Sequence, residues 1–237
     1  TALIRKCYVN GVAPVLTLTN QRESGGFSGD IAHAVIADEE VKTKLIQNVM
    51  EYLDRRNYFG LNIDFEYVRE EDRTLYTQFL LDFAAALRRV GYSFSVALAP
   101  KISQEQSGLL YTAHDYGAVG SIADKVIIMT YEWGYTYGEP MAVAPIDKVR
   151  QVLDYAVMEM PPEKILMGMA NYGYSWTLPY KKGTAARSLS LSEIPQTAYS
   201  QYADIRFDDT AQSPFFRYYD SAGTEHIAWF EDPRSIE

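Results

Sequence analysis

The chain carries a single cysteine, Cys7, in 237 residues, which excludes an internal disulfide framework and leaves the redox compartment unspecified. Cys7 reads most simply as a small buried apolar residue. Long apolar runs are also missing. No stretch of about 18 apolar residues offers a membrane span, and the opening Thr1-Ala-Leu-Ile-Arg-Lys6 is not a signal peptide. Histidine is scarce, and His33, His114 and His226 are scattered without ligand spacing, so no metal site is expected. Positive charge is in deficit: 22 Lys and Arg against 31 Asp and Glu leave a net charge of -9. That balance argues against nucleic acid or an anionic membrane surface as partner.

What is abundant points elsewhere. A hydrophobic content of 47% at this length suffices for one large domain spanning residues 1–237. Aromatic residues make up 14%, with 19 Tyr, and flat faces with a polar tip suit sugar rings as well as a tyrosine-rich core. Short β-prone runs alternate with helical patterns, the signature of a parallel α/β sheet. The spacing predicts strands at 13–19, 58–66, 92–99, 125–131 and 164–170. Between them, helices are expected over 38–56 (Val41, Leu45, Val49, Leu53), 70–90 (Leu75, Phe79, Leu80, Phe83, Leu87) and 146–160 (Val149, Leu153, Val157). Pro161-Pro162 stops the last of these. From residue 173 to 228 the alternation gives way to Tyr, Ser, Thr and Asp, but Phe207, Phe215-Phe216, Tyr218-Tyr219 and Ile227 supply too many anchors for a disordered linker. A small α+β insertion is expected there, with a hairpin turn at Gly223-Thr224.

The sharpest feature is Tyr58-Phe-Gly-Leu-Asn-Ile-Asp-Phe-Glu-Tyr-Val68. Alternate residues of a strand share a face, so Leu61, Ile63 and Phe65 would face covering helices while Asn62, Asp64 and Glu66 face the other way. An edge strand with one wet face would merely solvate these polar groups. In a buried sheet, two carboxylates this close would share a proton or a hydrogen bond, raising the pKa of one and suiting it to general acid catalysis.

Gly60 and the Asn-x-Asp-x-Glu pattern resemble the D-G-x-D-x-D-x-E signature of glycoside hydrolase family 18. Phe59 and Asn62 stand where the family usually has its first two Asp, while Asp64 and Glu66 match its last two acids. Met129-Thr-Tyr-Glu132 resembles the family's M-x-Y-D motif, with Glu132 in place of Asp. The blocks GVAPVLTLTN, GLNIDFEYV, MTYEWGYTYGEPMAVAPI and NYGYSWTLP are most similar to the family's spore cortex-lytic peptidoglycan N-acetylglucosaminidases. The resemblance implies a TIM (β/α)8 barrel of which strands three to seven are visible, with the insertion following strand seven. Strands one, two and eight would lie outside this chain, and peptidoglycan-binding modules would precede it in the full protein.

The same resemblance implies a retaining, substrate-assisted hydrolysis of β-1,4 bonds after N-acetylglucosamine. Glu66 would be the general acid and base, Asp64 would hold the substrate's acetamido nitrogen, and Tyr131 its oxygen. Asn62, Glu132, Trp133, Asn171 and Tyr172 would bind substrate. No metal or cofactor is implied. The partner would be an N-acetylglucosamine polysaccharide, and the location the spore coat or cortex, or the cell wall outside the cell. A chitinase or chito-oligosaccharide hydrolase would share every catalytic residue. A non-catalytic sugar-binding barrel of this family is the other class, against which Glu66 speaks, since such members commonly lose that glutamate.

Overall fold

A computed structural model describes residues 1–237, which fall into two compact units. The first comprises Thr1–Met129 with Asp154–Met167, the second Thr130–Leu153 with Gly168–Glu237.

The first unit is an α/β layer structure. Its sheet holds β1 (Val15–Thr19), β2 (Gly60–Asp64), β3 (Ser93–Leu98), β4 (Lys125–Ile128) and β5 (Ile165–Met167), all parallel and in sequence order. The helices before β5 are α1 (Ala2–Val9), α2 (Gly29–Ile36), α3 (Glu39–Arg56), α4 (Arg73–Arg88), α5 (Tyr116–Ile122) and α6 (Ile146–Glu159), with the unit boundary inside α6. All five expected strands are present but shorter than the apolar runs suggest: β1 begins two residues late, and β2 to β5 stop short of their expected C-terminal ends.

Helix ends follow their capping chemistry. Asp38 accepts from the Glu40 and Val41 N–H groups at the start of α3, and Asn57 closes it in the left-handed region with φ 59°; such a cap contributes about 1 kcal/mol. The buried stripe of α4 is Tyr76, Phe79, Leu80, Phe83 and Leu87. Leu75, expected in that stripe, is 40% exposed. Tyr76 replaces it because a shift of one residue turns a helical side chain by about 100°. For the same reason Val41 and Val157 face solvent, and Val152, Tyr155 and Ala156 fill the buried positions of α6. Cys7 is only half-buried.

Phe65, just past β2, lies 6.1 Å from the ring of Tyr76 and 5.4 Å from that of Phe79. With Leu61 and Ile63, both fully buried, it forms the helix-facing side of β2. Each such side chain contributes about 1.5–3 kcal/mol of transfer free energy. Gly60 is required by close approach, since a Cβ there would run into the carbonyl of Ser93 on β3.

The second unit is built on an antiparallel sheet of β6 (Tyr172–Thr177), β7 (Arg187–Ser190), β8 (Arg206–Asp208), β9 (Ser213–Tyr219) and β10 (Glu225–Trp229), in the order β7-β6-β10-β9-β8. One face, with Leu189, Phe216 and Ala228, packs on Ile194 and Ala198 of α7 (Glu193–Ser200). The other gathers Tyr174, Trp176 and Ile227 against Val143 and Ala170. The turn at Gly223-Thr224 joins β9 to β10 as the sequence suggests; Asp220 Oδ1 accepts from the N–H groups of Ala222 and Thr224. The short α8 (Pro233–Ile236) ends the chain under a capping box from Asp232.

Candidate active site

In the first unit the strand order places β2 between β1 and β3, so the polar residues of Asn62-x-Asp64 belong to an interior strand, not to a wet edge. Asn62 is buried, pairs in register with Thr17 and Ser95, and accepts a 2.9 Å hydrogen bond from the Ser95 hydroxyl. Asp64 is the last ladder residue. Its Oδ1 is buried and accepts no hydrogen bond, and burial pushes its carboxyl above the usual carboxylate range. A carboxyl taken from water without a donor favours its neutral form. Nearby, burial and then the Asp64 charge push the enclosed Tyr76 phenol upward.

Glu66 was expected on the strand itself, but β2 ends at Asp64 and Glu66 stands two residues beyond, half-buried, followed by Tyr67 at φ 55°. Side chains take over where the ladder stops. Asn20, fully buried just after β1, accepts from the Glu66 N–H at 3.0 Å and donates to the Glu66 carbonyl at 2.7 Å and to that of Ser28 at 3.0 Å. His114, also buried, accepts from the Ala99 N–H on Nδ1 at 2.9 Å, so Nε2 carries the proton and donates to the Phe65 carbonyl at 3.0 Å. Burial lowers the pKa of this imidazole to about 4. Both residues lie outside the Asn-x-Asp-x-Glu motif; Asn20 closes the GVAPVLTLTN block, whereas His114 has no local pattern around it.

In the second unit Tyr131, Glu132 and Trp133 are consecutive. Glu132 is exposed at φ 71°, an uncommon conformation for a residue with a Cβ, and its Oε1 accepts from Tyr172 at 2.8 Å and from Tyr174 at 2.7 Å. Burial first, then the Glu132 hydrogen bond, pushes both phenols up, Tyr174 to about 12. The Tyr131 and Tyr172 rings meet edge to face at 6.3 Å. Trp133 is half-buried and its main-chain N–H donates to the Val143 carbonyl at 3.1 Å, while Tyr137, in the same loop, is 61% exposed. Asn171 is exposed immediately before β6. Tyr174, a donor to Glu132, was not foreseen as a site residue. Glu231, beyond β10, is buried, accepts from the Ala144 N–H at 3.2 Å, and is raised by burial to about 7.

The three histidines have separate partners: His33 meets Asp72 at 2.9 Å and His226 meets Asp220 at 3.2 Å, while His114 bonds main chain. No group of three or more His, Cys, Asp or Glu side chains converges as a metal-ligand set.

An α/β unit with buried carboxylate chemistry at the C-terminal end of a parallel strand is a common enzyme arrangement. The sequence narrows it. Residues 19–237 match the model of glycosyl hydrolases family 18, and the chain belongs to that family. Over 224 residues it is 46% identical to the cortical fragment-lytic enzyme of Bacillus subtilis (strain 168), covering 94% of this chain and 52% of that protein. The spore cortex-lytic enzyme SleL of Bacillus megaterium QM B1551 superposes with a TM-score of 0.93 at 41% identity, covering 100% of this chain and 54% of the other. A chitinase from Chromobacterium violaceum ATCC 12472 gives 0.90 at 27% identity, covering 99% and 72%. The chain spans about half the length of curated relatives such as the cortical fragment-lytic enzyme.

Proposed function

We propose that this chain is the catalytic part of a glycosidase that cleaves β-1,4 bonds after N-acetylglucosamine in spore cortex peptidoglycan, within a TIM barrel only part of which this chain supplies. The observation that carries the reading is Asp64: a carboxyl with one oxygen buried and unbonded, two residues before a glutamate whose main chain is held on both sides. That oxygen is suited to accept from an amide N–H of a substrate. The cortex-lytic relatives supply the substrate class.

Glu66 protonates the glycosidic oxygen while the carbonyl oxygen of the substrate's 2-acetamido group attacks C1, so the C1–O bond breaks as an oxazolinium ring closes. This route is an exception to the two-carboxylate scheme. Asp64 accepts from the acetamido N–H, and Tyr131 donates to the acetamido oxygen and orients it. Asn62, Glu132, Trp133, Asn171 and Tyr172 line the sugar-binding surface. Glu66 then takes a proton from water as the water oxygen adds to C1 and the C1–O bond of the oxazolinium ring breaks, which restores the acetamido group, regenerates the acid and retains configuration.

The test is mass spectrometry of products from spore cortex peptidoglycan, vegetative peptidoglycan and chitin, with Glu66→Gln as control. Fragments ending in reducing N-acetylglucosamine, formed fastest from cortex and reduced at least about 100-fold in Glu66→Gln, are expected. Faster release from chitin would favour the chitinase reading, which the Chromobacterium likeness supports. No release by the parent protein from any of the three would favour a sugar-binding role.

A further inference from the structure

Past Asp64 no sheet partner remains for the main chain, and its next polar groups are bound by two buried side chains from elsewhere in the first unit. The peptide unit joining Phe65 to Glu66 has both ends held: its carbonyl by His114 Nε2–H at 3.0 Å, and its N–H by Asn20 Oδ1 at 3.0 Å. The following carbonyl, that of Glu66, is held by Asn20 Nδ2 at 2.7 Å. Every main-chain donor and acceptor from the Phe65 carbonyl through the Glu66 carbonyl is thereby fixed.

Each grip is itself fixed. The amide of Asn20 is fully used, because its second Nδ2 hydrogen reaches the Ser28 carbonyl at 3.0 Å and its own main-chain carbonyl accepts from the Ser28 N–H at 3.0 Å. The His114 ring stacks on Tyr76 at 6.1 Å, and Tyr76 stacks on Phe65 at 6.1 Å. The Ala99 N–H leaves His114 a single tautomer. Neither side chain has an atom to spare for substrate.

We propose that Asn20 and His114 are positioning residues: together they replace the missing β-ladder and fix the main chain from which the Glu66 carboxyl projects. The inference rests on Glu66 being the acid and base. A general acid acts only within hydrogen-bond reach of the oxygen it protonates, and a displacement of about 1 Å can cost about 100-fold in rate. The strand alone cannot supply that placement, since pairing has ended two residues earlier.

The experiment is a set of variants in the whole protein, assayed on cortex fragments. Asn20→Ala is expected to lower kcat about 30- to 100-fold with KM within threefold and the cooperative melt retained. His114→Phe keeps the ring stacking, removes both nitrogens and is expected to fall similarly, while His114→Gln restores a donor to the Phe65 carbonyl and recovers about tenfold. A merely structural role would not give that recovery at equal melting temperature. The decisive arm is Asn20→Ala combined with Glu66→Gln, which should turn over no more slowly than Glu66→Gln alone. Additive losses would overturn the positioning role, as would an Asn20→Ala enzyme, or a His114→Phe enzyme, within threefold of the parent. If Asn20→Ala does not fold, the two His114 variants decide the question alone. A Glu66→Gln protein with near-parent turnover would instead overturn the acid assignment, and this proposal with it.

Discussion

The Tyr174 hydroxyl donates to Glu132 Oε1 at 2.7 Å, and the carboxylate that receives it belongs to a residue held at φ 71°. A second phenol, Tyr172, donates to the same oxygen at 2.8 Å, so the strained position is stabilised by two charge-assisted hydrogen bonds. Burial and Glu132 together push Tyr174 up to about 12. In Glu132→Gln, Tyr174 is expected to titrate at lower pH, short of a free phenol because burial persists. Tyrosine ring-carbon NMR would follow it, and an unchanged midpoint would show that Glu132 does not contribute. Tyr174→Phe should cost about 1 kcal/mol in denaturant unfolding.

His114 gives the fold an acid-sensitive window. Its folded pKa of about 4 lies below the ordinary histidine value of 6.5, so the unfolded chain takes up the proton first. Stability from this group is fully present above about pH 6.5 and falls as pH drops toward 4, by on the order of 3 kcal/mol in all. Protonation also turns Nδ1 into a donor facing the Ala99 N–H. Urea unfolding at pH 7.5 and pH 4.5 should show the loss, and His114→Gln should remove most of it. An identical pH slope in the variant would contradict the assignment.

Glu231 acts with the opposite sign. Its carboxyl, raised from 4.5 to about 7 by burial, binds a proton in the fold that the unfolded chain has released. Its contribution is therefore greatest below about pH 4.5 and is lost as pH rises through 7. Glu231→Gln keeps an acceptor for the Ala144 N–H and cannot ionise. At pH 8 it is expected to be more stable than the parent by about 1–3 kcal/mol, and at pH 4.5 no more stable. A variant weaker than the parent at pH 8 would show that the charged form is satisfied by groups beyond Ala144.

These groups divide sharply by how far they could be seen in the sequence. The alternation Leu61, Ile63, Phe65 against Asn62 and Asp64 was legible because a strand's two faces repeat every second residue, and the interior place of β2 follows from parallel order. The end of the strand was not legible, since apolar alternation runs on through Phe65 after pairing has stopped. Helices α1, α2, α5 and α7 were missed because each spans eight residues or fewer, too short for a 3.6-residue period to show. Ser28 and Asp115 capped α2 and α5 in plain view, their side chains accepting from Ile31 and Ala118 N–H. Asn20 and His114 were beyond reach for another reason. Their bonds to Glu66 and Phe65 join positions 46 and 49 residues apart, and a side chain bonded to distant main chain leaves no periodic trace.

Asp64 lets stability and function be separated in a single substitution. Its carboxyl is raised by burial, so the neutral form is favoured by the fold and the charged form is a burden that grows as pH rises above the ordinary carboxylate range. Asn is neutral at every pH and nearly the same shape. Asp64→Asn should therefore melt at or above the parent temperature at pH 8. Turnover should move the other way. An amide can still accept from the acetamido N–H but cannot carry the charge that polarises it, and a fall of about 100-fold or more is expected. The substrate side gives the matching test: a glucoside lacking the 2-acetamido group has no internal nucleophile and should be refused by the parent protein. Differential scanning calorimetry at pH 8 and kcat on paired acetylated and unacetylated substrates would measure both. An Asp64→Asn protein that is less stable at pH 8 yet fully active, or rapid cleavage of the unacetylated glucoside, would rule out the acetamido-assisted role for this carboxyl.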